Sequence, residues 1–262
     1  MNRKYRKALI AGNWKMNMTP SAVKPFIEEL RSALPKAKSC DIAICAPFPL
    51  IPALARAVKD VSRIGIGAQD VCEFKSGAYT GDVSCDMLTD LGVKYVIVGH
   101  SERRAYHGED DFKVNAKLRA AIDAGMTAIV CVGESAEQRE RGLTMEHISY
   151  QVAAAVCGLT DEQAKRCVIA YEPLWAIGTG AVATADQAQE VCAQIRAVIK
   201  RRIGAKTARA ISILYGGSMN MKNAASLLAM PDIDGGLIGG ASLKPDDFAA
   251  IIAATAQEQH NG

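Results

Sequence analysis

The sequence has no hydrophobic run long enough to cross a membrane and only a small excess of positive charge. Its longest apolar stretch, residues 42–55, carries three prolines and falls short of the about 20 residues that a membrane helix requires. The basic start of the chain is followed by few apolar residues before Gly12 and Asn13, so no signal peptide is predicted. The net charge is +3 and the basic residues are spread along the chain. We expect a soluble, cytoplasmic protein without membrane or nucleic-acid partners.

Closely spaced metal-ligating residues are also missing. The eight cysteines are dispersed, mostly inside apolar runs, and the four histidines are not spaced as ligand pairs. Because no secretion signal is predicted, this pattern favours buried free thiols in a reducing compartment over disulfides. We therefore expect no metal site and no cofactor.

Short apolar runs alternate with amphipathic patterns along the whole chain. Eight runs predict buried strands, at residues 8–11, 41–46, 64–68, 95–98, 127–132, 167–171, 211–215 and 237–238. Helical stripes lie between them, for example at residues 23–34 and 188–199. Thr184 with Gln187 is a capping box for the second of these helices, and Pro245 suits the first turn of the last helix.

Strict alternation of buried strands and helices is typical of parallel sheets covered by helices. Eight such units in 262 residues predict an α/β fold of the (β/α)8 barrel type. A doubly wound open sheet is the alternative. No linker or composition shift divides the chain, so residues 1–262 are predicted to form one catalytic barrel domain.

Polar residues collect at the carboxyl ends of the predicted strands. Asn13 and Lys15 follow the first strand, His100 and Glu102 the fourth, and Glu172 the sixth. Each alone is more often a solvated charge or a structural residue. Because all strand ends of a barrel meet on one face, the set together predicts an active site there.

The glycines after the later strands indicate a phosphate site. Backbone N–H groups at Gly178, Ser218, Gly239 and Gly240 are expected to approach an anion closely. In barrels, the loops after the seventh and eighth strands are where phosphate is held.

The segment that follows the sixth strand, AYEPLWAIGTG at residues 170–180, has the composition of a hinged lid. It joins Glu172 to a rigid Pro-Leu-Trp start and a flexible Gly-Thr-Gly end. An ordinary strand-to-helix loop with a solvated Glu is the alternative.

Five segments in this order, NWKMN, GHSERR, AYEPLWAIGTG, YGGS and LIGGASL, resemble the triosephosphate isomerase family from Gly12 to Leu243. The resemblance implies the (β/α)8 TIM barrel and isomerisation of a triose phosphate through an enediolate, without a cofactor. It implies that Glu172 is the base and that neutral His100 polarises the carbonyl. Lys15 would supply positive charge, and Asn13 would orient the substrate. Another sugar-phosphate barrel enzyme, or a non-catalytic binding barrel, is the competing interpretation.

The resemblance also assigns supporting residues and a homodimer. Glu102 and Cys131 would position or pack against the catalytic groups. The long polar loop at residues 69–84, which its length alone marks as functional or partner-binding, would insert around Thr80 into a second subunit. Asp82, where the family usually has Glu, would face Arg103 of the partner subunit. Met219 and Gly236 also differ from the family's commoner residues.

Overall fold

Eight parallel strands close into a barrel in the computed structural model, which describes residues 5–176 and 182–257. Every strand pairs with its neighbours in sequence, and β8 pairs with β1. The strands are β1 Leu9–Asn13, β2 Asp41–Ala46, β3 Ile64–Ala68, β4 Tyr95–Val98, β5 Thr127–Val132, β6 Cys167–Tyr171, β7 Ile213–Tyr215 and β8 Gly235–Ile238. The predicted (β/α)8 barrel is therefore confirmed, and the open-sheet alternative is wrong.

Helices surround the barrel and follow its strands. Over the described residues they are α1 Pro20–Ala33, α2 Ile51–Ala57, α3 Cys85–Asp90, α4 Ser101–His107, α5 Asp111–Asp123, α6 Ala136–Glu140, α7 Thr144–Ala155, α8 Asp161–Ala164, α9 Ala185–Arg202, α10 Ala205–Ala210, α11 Ala224–Leu228 and α12 Pro245–Gln257. Thr184 caps α9 in the predicted capping box with Gln187, and Pro245 opens α12 as predicted. None of these helices is long and apolar enough to span a bilayer.

The bounds of three strands differ from the predicted ones. β1 continues to Asn13 because its backbone stays paired with β2 through a polar residue. Ile211 is the C-cap of α10 rather than the start of β7. β8 begins at Gly235, where a Cβ would lie 1.9 Å from the Leu9 carbonyl oxygen. A glycine that reads as a turn in the sequence is here the residue that lets two strands approach.

Apolar side chains alternate between two core layers along the strands other than β3, whose alternate positions are Gly65 and Gly67. In β1, Leu9 and Ala11 lie in a cluster with residues of the other strands inside the barrel. Ile10 belongs instead to the larger cluster that joins the strands to the helices. Successive side chains of a strand point to opposite faces. One face packs inside the barrel and the other packs against the helices, so both faces are buried. Of the eight free cysteines, all but Cys157 are buried, close to the predicted pattern.

A buried charge network ties the amino-terminal ends of the strands together. The Asp234 side chain, which is 0 % exposed, accepts bonds from Arg6 Nε at 2.7 Å and Arg196 Nη2 at 2.9 Å. It also accepts the backbone N–H of Ile213, the first residue of β7, at 2.9 Å. This network lies next to β8, at the end of the barrel away from the glycine-rich loops.

Replacing Asp234 with Ala is expected to destabilise the fold by about 3–5 kcal/mol, because the buried Arg6 guanidinium loses its charge partner and the partly buried Arg196 guanidinium loses one of two. Urea unfolding followed by circular dichroism measures the change. Asp60→Ala, at an exposed position, is the control and should cost little. An Asp234→Ala chain as stable as the control would contradict this role.

Candidate active site

The predicted catalytic residues line one cavity at the carboxyl ends of the strands. The cavity measures about 330 Å³. Its walls are Asn13, Lys15, His100, Glu172, Gly216, Gly217, Ser218, Met219, Asn220, Leu237, Gly239, Gly240 and Ala241. Residues from the ends of β1, β4, β6, β7 and β8 thus converge, because a closed parallel barrel brings all its strand ends to one face.

Glu172 is a buried carboxylate that faces an imidazole. Its side chain is only 3 % exposed, and Oε1 lies 2.9 Å from His100 Nε2. The other oxygen, Oε2, accepts the backbone N–H of Ser101 at 3.0 Å. These two contacts therefore connect Glu172, which follows β6, to the start of α4.

These contacts shift both acid–base groups. Burial alone raises the pKa of the Glu172 carboxyl, but His100, the Ser101 N–H and Lys15 outweigh it, so the pKa lies below its usual value. Burial alone lowers the pKa of the His100 imidazole, but the facing Glu172 carboxylate outweighs it and the pKa is raised. Because His100 depends on Glu172 for that shift, a substrate that separates the two groups removes the main cause of the higher pKa.

The hydrogen bonds of His100 assign its neutral tautomer. Nδ1 accepts the backbone N–H of Glu102 at 3.2 Å, at the first turn of α4. A proton on Nδ1 would break that bond and would face the positive end of the helix. The hydrogen therefore lies on Nε2, the atom that points to Glu172 and into the cavity.

The lowered pKa of Glu172 predicts how stability depends on pH. Above the unfolded-state pKa of about 4.3 the folded chain gains stability from this carboxylate. That gain is lost as pH falls through the lower folded-state pKa. The chain should therefore lose stability relative to a Glu172→Gln variant as pH falls from near the unfolded-state pKa through the lower folded-state pKa. Urea unfolding of both proteins across this range measures it, and a constant difference would refute the shift.

Lys15 has a strained backbone and a paired ammonium. Its φ angle is +50°, in the left-handed region that non-glycine residues rarely occupy. Nζ lies 2.6 Å from Glu102 Oε1, with side chains 31 % and 44 % exposed. The Lys15 N–H donates to Asn13 Oδ1 at 3.0 Å. Asn13 thus binds the backbone N–H of Lys15, and Glu102 binds its ammonium.

The predicted phosphate residues lie beside that charge. A Cβ on Gly239 would be 3.7 Å from Lys15 Cε, and a Cβ on Gly240 would meet nothing within 4 Å. Ser218 is exposed and also lines the cavity. Backbone N–H groups in this open recess, next to an ammonium, suit an anion. Gly178, with the rest of residues 177–181, lies outside the described residues.

Buried groups behind Glu172 hold the chain on both sides of it. Cys131 is fully buried, and burial together with the Glu172 charge raises the pKa of its thiol well above the usual value. Such a thiol packs rather than reacts. Glu134 Oε1 accepts Tyr171 Oη at 3.0 Å and Trp175 Nε1 at 2.9 Å. Glu134 therefore fixes the residues that precede and follow Glu172.

Two of the residues that depart from the family pattern are in contact. A Cβ on Gly236 would lie 2.6 Å from Ile238 Cδ1 and 2.8 Å from Met219 Sδ, and Met219 is 4 % exposed in the wall of the cavity. The Ile238 and Met219 side chains together fill the space that a larger residue at position 236 would need.

Gly236→Ala should therefore destabilise the chain by about 1–3 kcal/mol through overpacking, and Met219→Val in the same chain should recover the part of that loss that comes from Met219, because Ile238 still crowds the new Cβ. A double-mutant cycle of unfolding free energies measures the coupling. Additive effects of the two changes would contradict it.

A second cavity of about 450 Å³ adjoins the first and shares Asn13, Lys15 and His100 with it. Arg103 lines it and pairs within the chain, with Asp70 at 2.9 Å and Glu109 at 2.6 Å. Asp82 accepts the Cys72 thiol at 3.1 Å. Thr80 lies at the exposed tip of the long loop. Within one chain, Arg103 thus lines the second cavity, whereas Thr80 and Asp82 lie in the exposed part of the long loop.

The fold and site define a barrel enzyme of acid–base chemistry. A buried carboxylate faces an imidazole, and an ammonium lies beside a glycine-lined recess for an anion. These groups suit abstraction of a proton next to a carbonyl in a small anionic substrate.

Comparison with known proteins identifies the family. The model of the triosephosphate isomerase family matches residues 8–255. A triosephosphate isomerase of Acetivibrio thermocellus is 52 % identical over 246 residues, which cover 94 % of this chain and 97 % of the relative. That of Carboxydothermus hydrogenoformans is 50 % identical over 247 residues, 94 % and 98 % of the two chains. The chain belongs to the triosephosphate isomerase family, and it is an isomerase.

Sequence reasoning did not find several residues that the structure places around the site. Ser101 directly follows His100, and its backbone N–H donates to Glu172, a contact for which the sequence carries no signal. Glu134 follows β5 as Glu172 follows β6, and this shared position was the available signal. Gln69 directly follows β3 and bonds the backbone of Lys15, but an amide side chain gave no chemical signal.

Proposed function

We propose that this chain interconverts dihydroxyacetone phosphate and D-glyceraldehyde 3-phosphate, with Glu172, His100, Lys15 and Asn13 as its catalytic residues. The observation that carries the proposal is the buried Glu172–His100 pair, 2.9 Å apart, in one cavity with Lys15 and the glycines. The substrate's reacting carbons and oxygens would enter between the pair.

In the first step, Glu172 takes a proton from C1 of dihydroxyacetone phosphate. The electrons of that C–H bond form a C1=C2 double bond, and the C2 carbonyl oxygen becomes the enediolate oxygen. His100 Nε2–H donates to this oxygen, and the Lys15 ammonium stabilises its negative charge. Asn13 positions Lys15 by accepting its backbone N–H.

In the second step, Glu172 returns the proton to C2. The O1–H proton moves to O2, so a carbonyl forms at C1 and a hydroxyl at C2, and no electron leaves the molecule. Ser218, Gly239 and Gly240, with Gly178 from the lid, hold the phosphate meanwhile. Glu102 and Cys131 support the site by pairing Lys15 and by packing against Glu172.

A coupled assay with purified protein tests the proposal directly. Formation of D-glyceraldehyde 3-phosphate from dihydroxyacetone phosphate is followed through a dehydrogenase that reduces NAD. Rapid turnover of triose phosphates, and none of larger sugar phosphates, is expected. Absence of triose-phosphate turnover, or equal turnover of larger sugar phosphates, would refute the function.

We further propose a cytoplasmic homodimer in which residues 1–262 form one catalytic domain. Residues 74–82 of the long loop are all exposed, and Phe74 stacks on Tyr79 with ring centroids 4.4 Å apart. The second cavity, beside 96 %-exposed Met16, would receive Thr80 of a second copy. Asp82 and Arg103 would meet across this interface. The free thiols fit a reducing compartment.

Sedimentation equilibrium tests the dimer. A mass near twice 27.9 kDa is expected for the unmodified chain. Tyr79→Asp should shift it toward the monomer, because a charge enters an apolar contact. Tyr150→Asp, at an exposed tyrosine of α7, is the matched control. A monomeric unmodified chain, or no effect of Tyr79→Asp, would argue against the interface.

A further inference from the structure

Gln69 bridges the ends of three neighbouring strands beneath the catalytic lysine. It is the first residue after β3, and its Nε2 donates to the carbonyl of Lys15 at 3.0 Å and to that of Cys45 at 2.9 Å. Cys45, in β2, also accepts the N–H of Trp14 at 3.1 Å. A primary amide has two N–H donors, so one side chain ties the segment after β1 to β2 from β3.

The strained backbone of Lys15 indicates what the Gln69 hydrogen bonds stabilise. A non-glycine residue at φ +50° is strained and persists only where its surroundings fix it. Asn13 Oδ1 holds the N–H of Lys15, and Gln69 holds its carbonyl. Because the N–H and the carbonyl of Lys15 are both hydrogen-bonded, its side chain is directed toward Glu102 and the cavity.

We propose that Gln69 is a positioning residue that keeps Lys15 in its left-handed conformation and so places the ammonium beside the substrate. It lines the second cavity and acts on the reaction only through Lys15. Without its amide, the Lys15 backbone relaxes to a negative φ and the ammonium moves away from the recess at Gly239. The proposal rests on the proposed function.

The first test is Gln69→Leu, which removes the donors and keeps most of the side-chain volume. A displaced ammonium weakens binding of the anionic substrate and stabilises the enediolate less, so KM should rise and kcat should fall. A shift of about 1 Å can cost about 100-fold, and we expect kcat/KM to fall by about 10- to 100-fold. A merely structural role would lower the amount of folded enzyme and leave KM unchanged.

Asn115→Leu is the matched control. Its Nδ2 likewise donates to two backbone carbonyls, those of Ala155 at 2.7 Å and Cys157 at 3.1 Å, but it lies in the helical layer on α5. It should lose stability as Gln69→Leu does, with KM unaltered. Both variants are assayed at concentrations where sedimentation shows the same oligomer as the unmodified chain.

A double-mutant cycle with Lys15→Met tests whether Gln69 acts on the reaction through Lys15. If Gln69 acts through Lys15, Gln69→Leu should cost less than about 2-fold once the ammonium is gone. An equal loss in both backgrounds, or an unchanged KM in Gln69→Leu, would overturn the proposal.

Calorimetric binding of glycerol 3-phosphate, which carries the phosphate and has no carbonyl, gives an answer independent of turnover. Gln69→Leu should weaken this binding by about 10-fold and Asn115→Leu should not. An inactive unmodified chain would therefore refute the proposed function, whereas unchanged glycerol 3-phosphate binding in Gln69→Leu would refute the positioning role.

Discussion

Glu172→Gln is expected to lower kcat by about two to four orders of magnitude, the usual contribution of a positioned general base. The amide has nearly the same shape, but it cannot accept a proton from carbon. KM should change little, because Lys15 and the glycines of the phosphate site remain. The coupled assay measures both constants.

The fold should tolerate this change. The carboxylate offers acceptors to His100 Nε2 and to the Ser101 N–H, whereas an amide offers one oxygen. One donor therefore loses its partner, at a cost of about 1–3 kcal/mol. Circular dichroism and sedimentation should show a folded protein of unaltered mass. Glu140→Gln makes the same chemical change at an exposed position and should leave kcat unchanged.

Isotope exchange tests the role of Glu172 without relying on product release. In D₂O, an enzyme that removes a carbon-bound proton incorporates deuterium into the substrate, which NMR detects. Glu172→Gln should nearly abolish this exchange together with turnover. Exchange at the rate of the unmodified chain would show that another group is the base.

Lys15→Met is expected to have the second large effect, a loss of about 30- to 5000-fold in kcat/KM. The charge lies in a cavity where removing one partner of an ionic contact costs about 2–5 kcal/mol, and each 1.36 kcal/mol is tenfold. Because Lys15 would bind the phosphate in the ground state and the enediolate in the transition state, KM should rise and kcat should fall.

Met keeps the length of the lysine side chain and its backbone constraint, so the stability of the fold should change little. Lys24→Met is the control, at a lysine 78 % exposed that lies 3.7 Å from Glu28; its kinetics should be unchanged. Lys15→Met with kcat/KM equal to that of Lys24→Met would remove Lys15 from the mechanism.

Much of the barrel was predictable because strand and helix signals are local. Five predicted strands have the observed bounds, including residues 41–46 and 167–171. The capping box at Thr184 could be recognised in the sequence because its residues lie within one helical turn. The errors fell in β1, β7 and β8. Asn13 and Gly235 belong to strands because they pair with a neighbouring strand, whereas Ile211 ends a helix.

The candidate site was predictable to the extent that its chemistry lies at strand ends. Asn13, Lys15, His100 and Glu172 could be placed on one face because a parallel barrel allows no other arrangement of its carboxyl ends. Their mutual contacts were not predictable. That Oε1 of Glu172 meets Nε2 of His100, and that Nδ1 accepts from the turn of α4, depends on side-chain rotamers and on how α4 leaves β4.

By itself, then, the sequence determined the order of the strands, the type of fold and the identity of the reactive groups, because these follow from periodicity and from residues near each other in the chain. Only the tertiary structure decided which distant residues touch. It brought Gln69 to the carbonyl of Lys15, Arg6 to Asp234, and Met219 to the space above Gly236. Such pairs form when the barrel closes, and their geometry is a property of the packed core rather than of any local segment.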